Sequence, residues 1–566
     1  MRSLVSHLRG WLLCAAAVLI GAADCQGEEC TLQLKRLGSA ASPYATSRAE
    51  YLYRSTYPQS FHMQYYADKR LAEQSRIRIS GQEDRDAAFK RIVKKEPAKY
   101  TCPNPLRAVI KLGSQEFALV LDSSTWKPEE EPKPKAEAKP AGPKAKPSPK
   151  SSLLKSLSQA VAGEAEARLP VPPLQRMRPI GYDLLYFDAN HNGDLTDDKV
   201  IKPEPMPGLV GQRDYTYVRF PRIDVTIEAD GTKIDYAFTM NVNSYSMSQG
   251  IGYAYGSVNA AAYREGEITL QGKKRRIVLI DFNSNGRFDD ELKIQEVPER
   301  ERRVYPSYGD VFMLDPESSL PVYLNPYDVT SVANRYNVSK LVNVDGRFYK
   351  LKITPAGDKL ILEPATVSLG YVTNPNEGFS ALLYSEHGVV KIAGAKSKPV
   401  PLPEGQWRLL SYTIDRTGAP EPPKPAEKPA APPKKEAADA KTGQKSLLGA
   451  MVKALQGTAE TAVGRSYPAT DAIRMTRVSA QATGDTKAVV VRKGETVALP
   501  FGPPYKPVVS VDSMGGSQVR LNMTLVGLAG EACTDMMIDG RRPPNPEFTI
   551  SDPKKEIVQR GKFEYG

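Results

Sequence analysis

Apolar and polar residues alternate over short stretches of this chain, and turn residues separate the stretches. Residues 107–122, RAVIKLGSQEFALVLD, predict two strands around Gly113 and Ser114. Residues 222–242 predict a hairpin with an Asp-Gly turn, which is a strong short-range signal for two paired strands. A period of two indicates strands with one buried face, so this part of the chain is predicted to be β.

Later segments repeat the order of apolar strand, short turn and apolar strand. They are residues 348–364, 397–415 and 487–504. Strands at this spacing are typical of small antiparallel sandwiches. The predicted fold class is therefore mainly β, with several small antiparallel sheet or sandwich domains and an Ig-like sandwich at the C-terminal end.

Two tracts interrupt this pattern, at residues 127–150 and 419–441. Both are rich in Pro, Ala, Lys and Glu and contain few large apolar side chains. Such a composition cannot bury enough surface to offset the entropy of ordering the chain, so both are predicted to be disordered insertions.

Each tract is followed by a copy of a similar segment, residues 152–166 and 446–460. The copies align without a gap, and their apolar residues recur every three or four positions, which predicts two short amphipathic helices. Short helices are marginal alone, so we favour insertions whose helices pack loosely on their own domain or fray. The alternative is that they dock on a partner, on a membrane surface or on each other.

The first residues have the pattern of an export signal. Arg2 and Arg9 precede an apolar run at residues 11–20, and small residues follow up to Ala23, where we expect cleavage. No later segment approaches the roughly 18 apolar residues that span a bilayer. We expect an exported protein, in the periplasm, at the cell surface or outside the cell, with no transmembrane span after cleavage.

The chain has 566 residues, which suits several domains of about 100 to 200 residues each. The composition changes and turn signals predict a division into eight segments. They are a signal peptide at 1–23, an N-terminal β-containing domain at 24–126, a disordered insertion with a short helix at 127–178, a β domain with two loops at 179–300, a β-hairpin region at 301–365, the first part of a β-sandwich at 366–418, a second insertion with a short helix at 419–468 and a C-terminal Ig-like sandwich at 469–566.

The cysteines bear on disulfide pairing, and the net charge bears on the kind of partner. Four cysteines remain after signal removal, Cys25, Cys30, Cys102 and Cys533, and they allow three full pairings. A disulfide between Cys30 and Cys102 is favoured, because both fall in the N-terminal domain. The net charge of +12 comes from dispersed residues without interleaved aromatics, so we expect a solvated basic surface and no nucleic-acid partner. The partner stays unknown, with an envelope protein or an anionic polymer as candidates.

The segment YFDANHNGDLTDD, residues 186–198, has the spacing of a calcium loop. Calcium prefers six to eight oxygen ligands, and an EF-hand loop supplies side chains at positions 1, 3 and 5, a Gly at 6 and a carbonyl at 7. DFNSNGRFDD, residues 281–290, repeats the spacing. The candidate ligands are Asp188, Asn190, Asn192 and Asp194, closed by Asp197 or Asp198, and Asp281, Asn283, Asn285 and the Arg287 carbonyl, closed by Asp289 or Asp290.

Both loops depart from the EF-hand motif at position 12, where Glu normally binds calcium through two oxygens. Lys199 and Leu292 stand there instead, and strand-like segments flank both loops. We therefore expect EF-hand-like loops on β structure, with weak calcium affinity on the order of 0.1 to 1 mM. The alternative is a metal-free turn, held by the hydrogen bonds of its own Asp and Asn side chains.

Residues 96–122, residues 181–201 and the region from the GPP at 502–504 to the terminal GKFEYG resemble a group of uncharacterised exported proteins of planctomycete-type bacteria. The resemblance covers most of the chain apart from the two tracts. It implies export and calcium-type loops on β domains, and it implies no reaction, because the group has no established activity.

Catalytic motifs are absent from the sequence. Only His62, His191 and His387 remain after signal removal, and no Ser elbow, Cys/His pair or His-based metal motif is found. No catalytic residue is proposed, and an enzyme is the less favoured class. We expect a calcium-stabilised structural or adhesion protein of the cell envelope. The alternative is a carbohydrate-directed enzyme or carbohydrate-binding protein that uses carboxylates and Tyr.

Overall fold

The computed structural model describes residues 28–38, 53, 58–66, 82–124, 179–204, 215–246, 251–295, 304–316, 334–417, 476–484, 486–513 and 519–565. The predicted signal peptide, Cys25, both insertions and both predicted amphipathic helices lie outside these residues. The described part of the chain is mainly β, in several small antiparallel sheets, which confirms the predicted fold class.

The described residues contain one helix, and strands make up the other regular elements. The elements are β1 Glu28–Thr31, β2 Gln33–Arg36, β3 Gln59–Tyr66, α1 Gln82–Ile92, β4 Leu106–Leu112, β5 Gln115–Asp122, β6 Leu184–Phe187, β7 Tyr215–Arg219, β8 Ile223–Ala229, β9 Thr232–Ser246, β10 Ile251–Ala260, β11 Ala262–Leu270, β12 Lys273–Ile280, β13 Lys293–Gln295, β14 Tyr305–Ser307, β15 Val311–Leu314, β16 Arg335–Asn337, β17 Leu341–Val344, β18 Arg347–Ile353, β19 Lys359–Pro364, β20 Leu369–Thr373, β21 Phe379–Ser385, β22 Gly388–Gly394, β23 Val400–Pro403, β24 Gly405–Asp415, β25 Arg477–Gln481, β26 Val489–Val491, β27 Thr496–Ala498, β28 Lys506–Ser513, β29 Val519–Val526, β30 Ala532–Met537, β31 Glu547–Ser551 and β32 Ile557–Lys562. No helix among the described residues is long and apolar enough to cross a membrane.

The chain divides into two compact units. Unit 1 comprises Met1–Gln33, Arg264–Ile280 and Phe288–Gly566, and unit 2 comprises Leu34–Tyr263 and Asp281–Arg287. The eight predicted segments are a finer division than these units, and they stay a prediction.

Unit 2 contains two antiparallel sheets. The larger has the order β3-β10-β9-β7, and β8 also pairs with β9; the smaller has the order β4-β5-β6. The predicted turn between β8 and β9 is formed by Asp230 and Gly231, whose φ angles of 51° and 79° both lie in the left-handed region. That geometry suits an Asp-Gly pair and matches the twist of a two-residue hairpin.

Strand β5 is buried along six successive residues and so lacks the usual alternation. Its residues Ala118 and Val120 pack in a cluster with Phe89 of α1 and with Leu195. Helix α1 thus covers one face of the small sheet, and the burial of both faces explains the continuous apolar run in the sequence.

Unit 1 contains the largest sheet, with the order β22-β21-β24-β25-β30-β29-β28 and β26 paired to β24. Its core includes Trp407, Tyr412, Phe379 and Phe501. The buried indole Nε1 of Trp407 donates to the carbonyl of Pro403 at 2.8 Å, so its polar atom is satisfied.

The favoured disulfide between Cys30 and Cys102 is wrong. Cys30, Cys102 and Cys533 are all free thiols, and the first two are buried. Burial raises the pKa of Cys30 to about 11 and that of Cys102 to about 12. These thiols therefore act as small apolar side chains in the cores of their units.

Candidate metal centre

The first candidate loop begins where β6 ends. Asp188 follows Phe187 directly and is only 2% exposed. Its Oδ1 accepts the N–H of Asn192 at 3.0 Å, and its Oδ2 accepts the N–H of Gly193 at 2.9 Å. A buried carboxylate therefore holds the backbone of the loop in a tight turn.

Further side chains of this loop gather around Asp197. Its Oδ2 accepts from Nδ2 of Asn192 at 2.7 Å and from Nδ2 of Asn190 at 3.4 Å. The neighbouring Asp198 accepts the N–H of Ala189 at 3.2 Å through Oδ2. Hydrogen bonds thus link Asn192 to both Asp188 and Asp197 and link Asn190 to Asp197, while the side chain of Asp194 bonds elsewhere.

The carboxylate of Asp194 bonds outside the ligand group. Its Oδ1 accepts the N–H of Thr196 at 2.8 Å, and its Oδ2 pairs with Nζ of Lys95 at 2.9 Å. The bonds from Thr196 and Lys95 lower the pKa of Asp194 to about 2. Position 7 of a calcium loop supplies its backbone carbonyl, so this use of the side chain is compatible with such a loop.

Negative charge is concentrated in the first loop. Burial, together with the neighbouring charges of Asp197, Asp188 and Asp194, raises the pKa of Asp198 above its usual value, although the N–H of Ala189 lowers it. Like charges at short range disfavour ionisation, and a cation placed among them would reverse this effect.

The second candidate loop begins where β12 ends. Asp281 is fully buried, and its Oδ1 accepts the N–H of Asn285 at 3.2 Å. Its Oδ2 accepts the N–H of Gly286 at 2.7 Å and the hydroxyl of Tyr236 at 2.6 Å. The carboxylate at position 1 thus makes the same two backbone bonds, to positions 5 and 6, in both loops.

The two loops also share their backbone conformation. His191 and Ser284, at position 4, have φ angles of 58° and 59°, and Gly193 and Gly286, at position 6, both have a φ of 83°. A Cβ at Gly193 would lie 2.6 Å from the carbonyl oxygen of Ile92. Glycine at position 6 is therefore required both by the left-handed φ and by the close approach of the chain.

The other predicted residues of the second loop have different environments. Asn285 accepts the N–H of Arg287 through Oδ1 at 2.9 Å. The guanidinium of Arg287 pairs with Asp230 at 2.8 Å, so the candidate ligand of Arg287 is its backbone carbonyl. Asn283 lies at position 3 of the loop. Asp289 and Asp290 belong to unit 1, so their role as closing ligands stays a prediction.

Within the described ranges, no group of three or more His, Cys, Asp and Glu side chains could hold a metal ion. The candidate sets here rely on Asn side chains and backbone carbonyls as well as carboxylates. All of these are oxygen donors, the ligand type that calcium prefers and zinc does not.

Sequence patterns did not indicate the groups that anchor the loops. Nε2 of His191 lies 3.0 Å from the carbonyl oxygen of Glu116, and its ring packs on Phe117 with centroids 4.9 Å apart. The carbonyl of Gly193 accepts the N–H of Lys94 at 2.8 Å. These partners are far away in sequence and carry no motif.

No family model, curated protein or solved structure matches the chain.

Proposed function

We propose that the chain is an exported, calcium-stabilised structural or binding protein of a bacterial cell envelope, in which both loops bind calcium and rigidify unit 2. The observation that carries the proposal is the repeated loop geometry. Two segments with different residues at positions 2, 4 and 7 have the same φ angles at positions 4 and 6 and the same carboxylate–amide bonds. Both loops keep Asp, Asn, Asn and Gly at positions 1, 3, 5 and 6, the positions that supply side-chain ligands and the sharp turn in a calcium loop.

The ligand chemistry supports calcium over other metals. In the first loop, Asp188, Asn190, Asn192, the carbonyl of Asp194 and one or both of Asp197 and Asp198 would supply the oxygens. Neutral amides in several ligand positions and the absence of Glu at position 12 favour weak binding, on the order of 0.1 to 1 mM. Such affinity suffices outside a cell, and the N-terminal pattern favours export to the periplasm, the cell surface or the medium.

The proposed effect of calcium is on stability. A ligand that binds only the native state stabilises it by RT ln(1 + [L]/Kd), which is ~1.4 to 2.7 kcal/mol for a concentration 10 to 100 times the Kd. The first loop and residues Asp281–Arg287 of the second loop belong to unit 2, so the gain is expected in the melting transition of that unit.

The test is a thermal melt of the chain without its N-terminal 23 residues, in 10 mM calcium and in EDTA. We expect a melting temperature several degrees higher in calcium, with 10 mM magnesium less effective because magnesium demands a stricter octahedral geometry. Asp197→Asn is expected to reduce the calcium effect, while Asp235→Asn, on an exposed position of β9, leaves it intact.

Calorimetric titration of the same proteins with calcium provides the second measurement. An identical melt in calcium and EDTA, together with no heat of binding in the millimolar range, would remove calcium from the proposal. The loops would then be turns stabilised by their own Asp and Asn side chains.

A further inference from the structure

The four-stranded part of the large sheet in unit 2 has one apolar and one polar-aromatic face. Along β9, Met240, Val242 and Ser244 are buried on the core face. On the core side of β10, Gly252 lies against the ring of Tyr65, and Gly256 lies against the ring of Phe61. The side chains at the alternate positions of these two strands point to the opposite face, because successive side chains alternate across a strand.

Three registered rows of side chains cover that opposite face. In the first row, Tyr215, Tyr245, Tyr253 and Gln64 are direct neighbours across four strands. The rings of Tyr245 and Tyr253 stack with centroids 5.3 Å apart and 20° between their planes. Tyr215 and Tyr245 are 37% and 42% exposed, so the part of the row on β7 and β9 is open to solvent.

The second row contains Tyr217, Asn243, Tyr255 and His62 in register. Asn243 accepts the hydroxyl of Tyr215 through Oδ1 at 2.5 Å, which links the second row to the first. The ring of Tyr255 is 37% exposed. Hydrogen bonds between rows thus fix the side chains before any ligand arrives, which reduces the entropy lost on binding.

The third row contains Arg219, Asn241, Ser257 and Ser60. Ser257 donates to Oδ1 of Asn241, and the hydroxyl of Ser60 is bonded to that of Tyr255. The face as a whole therefore combines tyrosine rings with side-chain amides and hydroxyls, and none of its twelve positions is Asp or Glu.

Gln64 ends the first row with unused hydrogen-bonding capacity. The side chain is 6% exposed, and among the described residues neither its Nε2 nor its Oε1 has a hydrogen-bond partner. A buried amide without partners costs about 1 to 3 kcal/mol, so its presence at the edge of this face points to a polar group beyond the described residues, which a bound ligand would supply.

We propose that this face of the β3-β10-β9-β7 sheet binds a neutral oligosaccharide. Tyrosine offers a rigid apolar ring to the C–H face of a sugar and a hydroxyl to its oxygens, and amides both donate to and accept from sugar hydroxyls. The absence of carboxylates from the twelve positions makes this a binding face with no acid–base pair for glycoside hydrolysis.

The charges of the face favour a neutral ligand over a nucleic acid. Its basic positions are Arg219, which is buried, and His62, whose pKa is lowered by burial and by Arg85. Binding of a nucleic-acid backbone depends on several Lys and Arg side chains along a groove, and this face lacks them. The inference goes beyond the proposed calcium role and does not depend on it.

The test is affinity electrophoresis of the full mature chain in native gels that contain hydroxyethyl cellulose, xylan or galactomannan, with polyadenylate as the anionic probe. The gels contain EDTA and are run below the EDTA melting transition, so the result is independent of calcium. We expect retardation by at least one neutral polysaccharide. In Tyr245→Ala/Tyr255→Ala the dissociation constant should rise about tenfold or more, because both rings are removed from the centre of the face.

Tyr371→Ala is the matched control, because Tyr371 is a comparably exposed tyrosine (40%) on β20 of unit 1. It should keep the retardation of the parent chain, and all three proteins should melt alike. No retardation in any neutral gel, equal loss in the control, or retardation by polyadenylate alone would each overturn the proposal.

Discussion

The hydroxyl of Tyr236 donates a 2.6 Å hydrogen bond to Oδ2 of Asp281. Tyr236 lies on β9 and is fully buried, and Asp281 is the first residue of the second candidate loop. The same oxygen accepts the N–H of Gly286 at 2.7 Å. The phenol therefore orients the carboxylate and links the loop to the strand that also carries the tyrosine-rich face of the sheet.

Replacement of Tyr236 by Phe should lower the stability of unit 2. The variant keeps the buried ring but removes one donor from a buried carboxylate, and a hydrogen bond to a charged group contributes about 1.5 to 3 kcal/mol. A lower melting temperature in the variant would be the expected result. Tyr245→Phe, which changes an exposed tyrosine on the same strand, should leave the melt unchanged, and equal melts for the two variants would contradict the role of Tyr236.

Local patterns predicted the local structure well. The Asp-Gly turn at 230 and 231 and the strands on either side follow from short-range geometry, and both are present. The link between Tyr236 and Asp281 joins residues 45 apart, and no pattern in either segment indicates the other. The predicted Cys30–Cys102 pairing failed for the same reason, since spacing along the chain does not reveal which residues meet.

Helix α1 was not predicted, and its composition explains why. Its sequence QEDRDAAFKRI is mainly polar, and of the described side chains at positions 84–92 only Phe89 is buried. A single large apolar side chain cannot produce a period of 3.6 in the sequence. The helix is stabilised instead by the contact of Phe89 with Ala118 and Val120, which depends on tertiary structure.

Replacement of Gly193 by Ala should destabilise the first loop more than its φ angle alone explains. Gly193 has a φ of 83°, and an added Cβ would lie 2.6 Å from the carbonyl oxygen of Ile92. A left-handed φ costs an L-residue about 1 to 2 kcal/mol, and the backbone contact adds to that cost because neither chain segment can move freely. Thermal melting and calcium titration of the variant provide the measurement.

Gly231→Ala separates the two effects. Gly231 has a similar φ of 79°, but no atom lies within 4 Å of a Cβ built there. This control should show only the conformational cost. Equal destabilisation by the two variants would mean that the first loop tolerates the Cβ and is less tightly held than its hydrogen bonds indicate.

The stability of unit 2 should depend on Asp122 at neutral pH and lose that dependence in acid. Asp122 is fully buried and accepts the N–H groups of Thr101, Cys102 and Ser123 at 2.7, 2.8 and 2.8 Å. Burial opposes ionisation, but the bonds from Cys102 and Thr101 outweigh it and hold the pKa below its usual value. This stabilisation is complete above the unfolded pKa of about 3.9 and is lost as pH falls through the native pKa.

Asp122→Asn tests this dependence. The melting temperature of the variant should fall furthest below that of the parent above about pH 5, and the difference should shrink below about pH 3, because the parent then also carries a neutral side chain. A difference that stays constant from pH 7 to pH 3 would assign the effect to packing alone.

Removal of the Glu531 carboxylate, near the cis Pro503–Pro504 segment, should lower the free energy of unfolding of unit 1. The carboxylate is fully buried. Its Oε1 accepts the N–H of Gly502 at 2.8 Å and the hydroxyl of Tyr412 at 3.0 Å. Its Oε2 accepts the N–H of Ala529 at 2.7 Å. Burial, with contributions from Tyr505 and Glu531, raises the pKa of Tyr412, so its phenol stays protonated and donates.

Glu531→Ala leaves these three donors without an acceptor in a buried site, which should cost about 3 kcal/mol or more. A melting transition of unit 1 that falls by several degrees, with the transition of unit 2 unchanged, is the expected result. Glu556→Ala, at an exposed position beside β32, should have no effect on either transition. If the two variants melted alike, the buried carboxylate would contribute no net stability, and its three donors would have found water in its place.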